Sequence, residues 1–409
     1  MAKKRIYTKG QIVSKIIFAL ILCLSFVSIS TALVIALNTD DYVVIHNQAE
    51  FENISRGMDK KYKLIGNLQF TRPIKMIGDQ NTPFTGVFDG RGGMILGYTV
   101  SEDSLSEISG VYYSALFYQN DGIIKNLEIN TASIDVSKTF SDVTISAFSI
   151  INRGTISHCN FVYSNAQISA KKTNYAAICY ENNGVINNVH VKSDTIISSL
   201  SDLCLSYVTI NNFGLIKTSY IEGSISASAV SSSTSNYFGG FACFDTEGLY
   251  INCFTACSFS YVSSPNASGV LGGIVAFSID QTQICDSYVF NVFDVEYFSG
   301  NNLAIGGFIG KLNKSSIINN CLSRTVIGWK NPTPLLPFID SAGEFLGISS
   351  DLLAISNSYY CGNVYNVRNC VVYGLVIEFQ NVTIETMGWN SAFWSINGGG
   401  EIVLNYVTE

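Results

Sequence analysis

The stretch NDGIIKNLEI (120–129) recurs as NRGTISHCNF (152–161), NNGVINNVHV (182–191) and NFGLIKTSYI (212–221). Weaker copies follow as DQTQICDSYV (280–289), NKSSIINNCL (313–322) and DLLAISNSYY (351–360). Anchoring each copy on one isoleucine gives Ile124, Ile156, Ile186, Ile216, Ile284, Ile317 and Ile355. Ile251 fits between them with its Gly248 shifted by one, and Ile65 and Ile95 extend the series upstream. Successive anchors lie 29 to 38 residues apart. A period of that length marks a stack of supersecondary units, each burying its apolar face against the next.

Each unit reads as three short strands. A first strand ends at the Asn, as in SALFYQN (114–120) and ISAFSIIN (145–152). The Asn-x-Gly that follows is turn chemistry, since both residues tolerate positive φ. The second strand carries the isoleucine, and a third runs through ASIDVS (132–137), AQISA (166–170), TIISS (195–199) or SISAS (224–228), β-branched and alternating. Helical repeats of similar length need an Ala-, Leu-, Glu- and Lys-rich 3.6 period, which is missing here.

Parity adds a corner. Five residues after most anchors stands another apolar residue, such as Ile129, Phe161, Val191, Ile221 and Val289. In a flat strand an odd separation puts two side chains on opposite faces, so burying both requires a bend. Two residues after the anchor stand Asn67, Gly97, Asn126, His158, Asn188, Thr218, Asp286, Asn319 and Asn357, mostly types that accept a left-handed conformation. The expectation is an all-β, right-handed parallel β-helix of about ten coils, with Asn stacked on Asn at the corner. At about 4.8 Å per coil the rod would be on the order of 50 Å long.

Composition agrees with this and excludes other classes. The 409 residues are 47% apolar and 12% aromatic but only 13% charged, with 34 Gly and 6 Pro. Mean hydropathy is +0.26, which is too apolar for a disordered chain. A formal charge of −7 argues against nucleic acid, whose binding rests on clustered Lys and Arg. Three His give little material for a His-based metal or catalytic site.

The residues resemble a known family. The strands followed by Asn-x-Gly-x-Ile-x-Asn are similar to the GLUG-motif repeats of bacterial cell-surface and secreted proteins. YKLIGNLQFT and PFTGVFDGRGGMILGYTV (within 62–100) resemble the segment that introduces such arrays, although Arg91-Gly92-Gly93 replaces the usual Asn-Gly-His. MGWNSAFWSINGGGEIVLNY (387–406) resembles their Trp-containing closing segment. The resemblance covers about residues 43–407. It implies surface display and often adhesion, and it brings no shared catalytic residues.

The chain divides into a basic segment (1–15), an apolar segment (16–37), a linker and cap (38–61), the repeats (62–382) and a closing cap (383–409). Lys3, Lys4, Arg5, Lys9 and Lys15 precede 22 uncharged residues, enough to cross a bilayer core of about 30 Å. This is a signal anchor or, with cleavage near Ala36, a signal peptide, and either way the chain beyond it is exported. Cys23 follows Leu22 and lacks the small residue that a lipoprotein site needs. Asn47-Gln-Ala-Glu50 reads as an Asn-led capping box opening a helix at about 48–56 that could cover the first coil. The segment around Trp389 and Trp394 would plug the last. Exposed coil ends would otherwise stack with other chains.

Candidate sites are sparse. SASAVSSSTSNYF (226–238) and NPTPLLPFID (331–340) are insertions of the kind that form loops on one face of an array. The carboxylates Asp135, Glu222, Asp286 and Asp294 are scattered, without a paired-carboxylate phrase. His158 and His190 fall at different offsets and do not converge on a metal. Cys253 and Cys257 are four apart, unlike a zinc knuckle. Cys159, Cys285 and Cys321 sit in second strands, where a free thiol packs as a small hydrophobe. Gly398-Gly399-Gly400 has no phosphate-loop setting and reads as a turn. No catalytic residue, cofactor or metal is expected. The leading expectation is a membrane-attached or secreted structural and adhesive protein that binds a carbohydrate or a host or partner protein. The alternatives are a polysaccharide lyase or hydrolase on the same scaffold and a component of an envelope assembly.

Overall fold

Eight strands stack in parallel into one sheet, beginning with Phe117–Asn120, Ser149–Asn152, Cys179–Asn182 and Thr209–Asn212. Adjacent members are separated in sequence by a full turn of chain, so the sheet spans seven turns of a parallel β-solenoid. The computed structural model describes residues 41–409 except 200–201, 230–234, 263–266, 297–301, 331–341, 352, 361–369, 373–375, 379–382, 397–401 and 406–409. The apolar segment 16–37, the insertion 331–340 and the 398–400 glycines therefore lie outside the described residues. Among those described, no helix is long and apolar enough to cross a membrane. About 68% of the described residues are strand. The expected ten coils compare with seven complete turns in the eight-stranded sheet, while a 25-stranded sheet forms the other faces and runs beyond it at both ends.

The inner column that anchors the coils runs through Tyr62, Phe88, Ile124, Ile156, Ile186, Ile216, Tyr250, Ile284, Ile318 and Ile355. All are buried, and each such side chain contributes about 1.5–3 kcal/mol. Four anchors expected from the sequence stand elsewhere. Ile65 and Ile317 are 63% and 46% exposed. Ile251 pairs with Lys217 and Cys285 on the outward side. Ile95 is buried, but in a second column with Leu68 and Ile129. The slip at Ile251 has a local cause: the turn from Asp245 to Gly248 holds one extra residue, and Glu247 absorbs it at φ 60°. Gly248 is thus in register, since Leu249 N donates to Gly214 O, and the isoleucine is the displaced partner.

The left-handed corner is present two residues after the true anchor. Asn126, His158, Asn188, Thr218, Asn252, Asp286, Asn320 and Asn357 all have φ between 48° and 54°. The expected Asn319 and Asn67 are replaced by Asn320 and Gly66, the former tracking the shift from Ile317 to Ile318. At the corner the ladder is interrupted, and the next residue faces inward: Cys159, Val189, Ser219, Cys253, Ser287, Cys321 and Ser358. Ser287 Oγ accepts from Cys253 N (3.1 Å) and donates to Cys285 O (2.7 Å), and Ser219 and Ser358 do the same for Val189 and Cys321. Serine hydroxyls thereby satisfy amides that the corner removes from the sheet.

The continuous asparagine ladder lies at the end of the first strand, while at the corner Asn320 Nδ2 donates to Asp286 Oδ1 of the preceding coil at 2.6 Å. Asn120, Asn152, Asn182 and Asn212 are essentially unexposed, and each Nδ2 donates to the next coil's Oδ1 at 2.7, 2.8 and 2.8 Å. The last, Asn212 Nδ2, donates to Asp245 Oδ1 at 2.9 Å. Asp280 and Asn313, which open the weak copies, lie outside the ladder, where Ser278 and Leu312 stand instead. The glycine two residues on is not a positive-φ residue. A Cβ on Gly122, Gly154, Gly184 or Gly214 would come within 2.2 Å of the carbonyl oxygen of the glycine one coil earlier.

At the N-terminal side, α1 (Gln48–Glu52) is capped by Asn47, whose side chain accepts from Glu50 N at 2.9 Å, and continues as a 3-10 turn, Asn53–Arg56. Phe51 packs among Phe70, Phe88 and Phe117 at centroid distances of 5.5–6.0 Å. The eight cysteines whose side chains are described are free thiols, all buried except the half-buried Cys285. Burial pushes Cys159, Cys179, Cys204 and Cys253 up to about 12. Among these eight, native alkylation read by peptide mapping is expected to label Cys285 first and the rest only on unfolding. Rapid native labelling of Cys159 or Cys253 would show that the corner column is not packed.

Candidate functional site

The same corner that buries one residue turns the next but one outward, and on five coils this builds a column of His190, Tyr220, Phe254, Tyr288 and Leu322. Stacking at the interstrand spacing makes the rings nearly parallel: His190–Tyr220 at 4.8 Å and 4°, Tyr220–Phe254 at 5.0 Å and 7°, Phe254–Tyr288 at 5.0 Å and 13°. The C-terminal segment lies on this column and does not plug the last coil. Beyond α2 (Ile384–Met387), Trp389 and Trp394 stack at 4.3 Å. Trp389 Nε1 donates to Asn320 O at 3.0 Å, and Trp394 meets Phe254 edge-on. Both tryptophans are buried in one cluster with Met387, Ile402 and Leu404. The strap thus covers the Phe254–Leu322 part of the column.

Beside the strap runs the next outward column: Lys192, Glu222, Ala256, Phe290 and Arg324. Ala256 is a gap in a row of long side chains. A groove of about 370 Å³ opens there, lined by Lys192, Asp194, Glu222, Ala256, Ser258 and Phe290 among others. On the far side of Phe290 the Arg324 guanidinium sits over the ring at 5.0 Å. At the near end Glu222 Oε1 lies 3.0 Å from Lys192 Nζ and 3.4 Å from His190 Nε2, while Oε2 accepts from Tyr220 Oη at 2.8 Å. His190 above all, then Tyr220 and Lys192, hold the Glu222 carboxyl at about 2 against the opposing effect of burial. Asp194 Oδ1 accepts from Ser224 N at 2.9 Å and Ser224 Oγ at 2.6 Å. Two fixed carboxylates therefore face a ring across a small-residue floor.

The other sequence candidates do not join this site. Asp135 is exposed on its own strand, and Asp286 is a corner residue that accepts from Asn320 Nδ2 at 2.6 Å. Asp294 stands opposite Ser260 and Gly328, farther along the strand. His158 is a corner residue while His190 is on the flank. Cys253 belongs to the corner column, and Cys257 is buried beneath the groove floor. Among the described residues, no group of three or more His, Cys, Asp or Glu could hold a metal. Phe290, Lys192 and Asp194 escaped the sequence reading. Their signal is the offset of four or six residues from a left-handed corner, which is visible only once the corners are assigned.

No protein-family model matches the chain, and no curated protein matches it. Solved structures that match the chain include the following two. One is described as a putative immunoglobulin A1 protease from Bacteroides ovatus: 13% identical, TM-score 0.49, covering 90% of this chain and 94% of that one. The other is an IgA1 protease: 12% identical, TM-score 0.28, covering 81% of this chain and 21% of that one.

Proposed function

We propose that this chain is an exported, surface-displayed solenoid with a structural and adhesive role, attached through residues 16–37 or secreted, and that it binds a carbohydrate ligand on its flank. The supporting observation is the groove itself. It places the face of Phe290 opposite Glu222 and Asp194 across Ala256 and Ser258, which suits a ligand with an apolar ring face and a hydroxyl-bearing edge. The ionised Glu222 suits an acceptor of ligand hydroxyl hydrogen bonds and not the general acid of a glycosidase, which needs a raised carboxyl. A rigid repeat scaffold and the GLUG resemblance fit display.

A glycan array probed with the full chain tests the reading. Binding is expected, and Phe290→Ala should weaken it about tenfold, the equivalent of roughly 1.4 kcal/mol. No bound glycan, or an unaffected Phe290→Ala variant, would remove the groove from the account.

A further inference from the structure

We propose that the gap at Ala256 is a slot for one neutral sugar ring, inserted parallel to Phe290, so that a longer glycan leaves across the flank and does not run along the solenoid axis. This rests on the carbohydrate reading and narrows it to a ring, a charge and a direction. The column register sets the geometry. Arg324 is one coil beyond Phe290 and covers that face of the ring, and Ala256 is one coil before it. The ring face of Phe290 that looks back along the axis faces Ala256, the smallest side chain of the column, while the edge of the ring toward the strap packs on the tryptophan cluster. Glu222 closes the slot from the other side, two coil steps from Phe290, a separation of about 9.6 Å at the ordinary strand spacing. That admits the thickness of one saturated ring and no stack of two.

Charge selects within the class. The lining carries Lys192 against Asp194 and Glu222, and Lys192 is already engaged by Glu222 at 3.0 Å. A carboxylated or sialylated sugar would bring a further negative charge beside Glu222 and Asp194, whereas the hydroxyls of a neutral sugar donate to Glu222 and to Asp194, which Ser224 holds in place.

The test fills the slot and leaves the machinery intact. Ala256→Leu in the full chain should abolish glycan binding, at least a tenfold loss, with an unchanged circular dichroism spectrum. Ser258→Leu, one outward column farther from the strap, should do the same if Ala256→Leu disturbs the tryptophan packing. A neutral methyl glycoside should compete within about tenfold of the corresponding oligosaccharide, and its uronic acid counterpart should compete far more weakly. Phe290-dependent binding that survives both leucine variants would overturn the slot while leaving the carbohydrate reading standing. So would competition by trisaccharides but not by monosaccharides. Absence of any glycan binding by the native chain would overturn both.

Discussion

Gly154→Ala is expected to cost about 3 kcal/mol or more, far beyond what a helix or strand propensity scale assigns to one methyl group. The new Cβ would stand 2.0 Å from Gly122 O and 2.8 Å from Gly122 N and Asp121 C, all backbone of the preceding coil. Neither coil can yield alone, because Arg153 N, Gly154 N and Thr155 N are each bonded to the coil before. The substitution must therefore pry two coils apart along a whole turn. Gly66→Ala is the control: its φ of 75° is left-handed, but nothing lies within 4 Å of the added carbon, so only the conformational cost of about 1–2 kcal/mol applies. Denaturant unfolding of the full chain followed by circular dichroism would compare them. A loss at Gly154 no larger than at Gly66 would mean that the glycine column is about backbone freedom after all.

Asn182→Asp should destabilise by about 3 kcal/mol at neutral pH, and most of that loss should vanish in acid. Asn182 is wholly buried, accepts from Asn152 Nδ2 and Gly184 N, and donates to Asn212 Oδ1. A carboxylate keeps the accepted bonds but sets a bare oxygen against the Asn212 Oδ1. Asp245 marks the contrast. It is a natural carboxyl at the end of the same ladder, raised by burial, yet its oxygens receive four donors: Tyr250 Oη, Thr282 Oγ1, Asn212 Nδ2 and Gly248 N. At 182 the next group is an acceptor, so only the protonated form can fit. The folded carboxyl is thus raised above its unfolded value of about 3.9. Stability relative to the native chain is best below that value and is lost as pH rises toward the folded pKa, at about 1.4 kcal/mol per pH unit. Asn182→Leu should be destabilised without this dependence. A pH-independent deficit for the carboxyl variant would refute the ladder as an energetic element.

Most of the fold could be read from residue order because stacking makes it nearly one-dimensional. Ile124, Ile156, Ile186 and Ile216 touch neighbours one period away, and the corner at Asn126 or Asn188 follows from the odd spacing between two buried positions. The reading failed where a coil gained a residue. The turn before Gly248 moved Tyr250 into the isoleucine column, and the choice between Ile317 and Ile318 had no local signal to decide it. The reason for the Asn-x-Gly glycine was hidden as well, since a close approach between coils leaves no trace in the turn's own sequence. The groove was the least legible feature. It is defined by something small, Ala256, among residues contributed by four coils. The strap was misplaced for a related reason: a period shows which residues repeat, while Trp389 and Trp394 do not repeat at all.

The strap also fixes an order of events. Contacts between coils join residues some 30–38 positions apart, so each turn can close against the one made just before it. Trp394, by contrast, reaches back 142 residues to Asn252. Until the tryptophans arrive, a growing chain carries Phe254 and Tyr288 as a bare, greasy seam, a mark by which an unfinished molecule differs from a finished one. Arrival of the strap hides that seam, and an interrupted product keeps it on view to whatever surveys nascent chains.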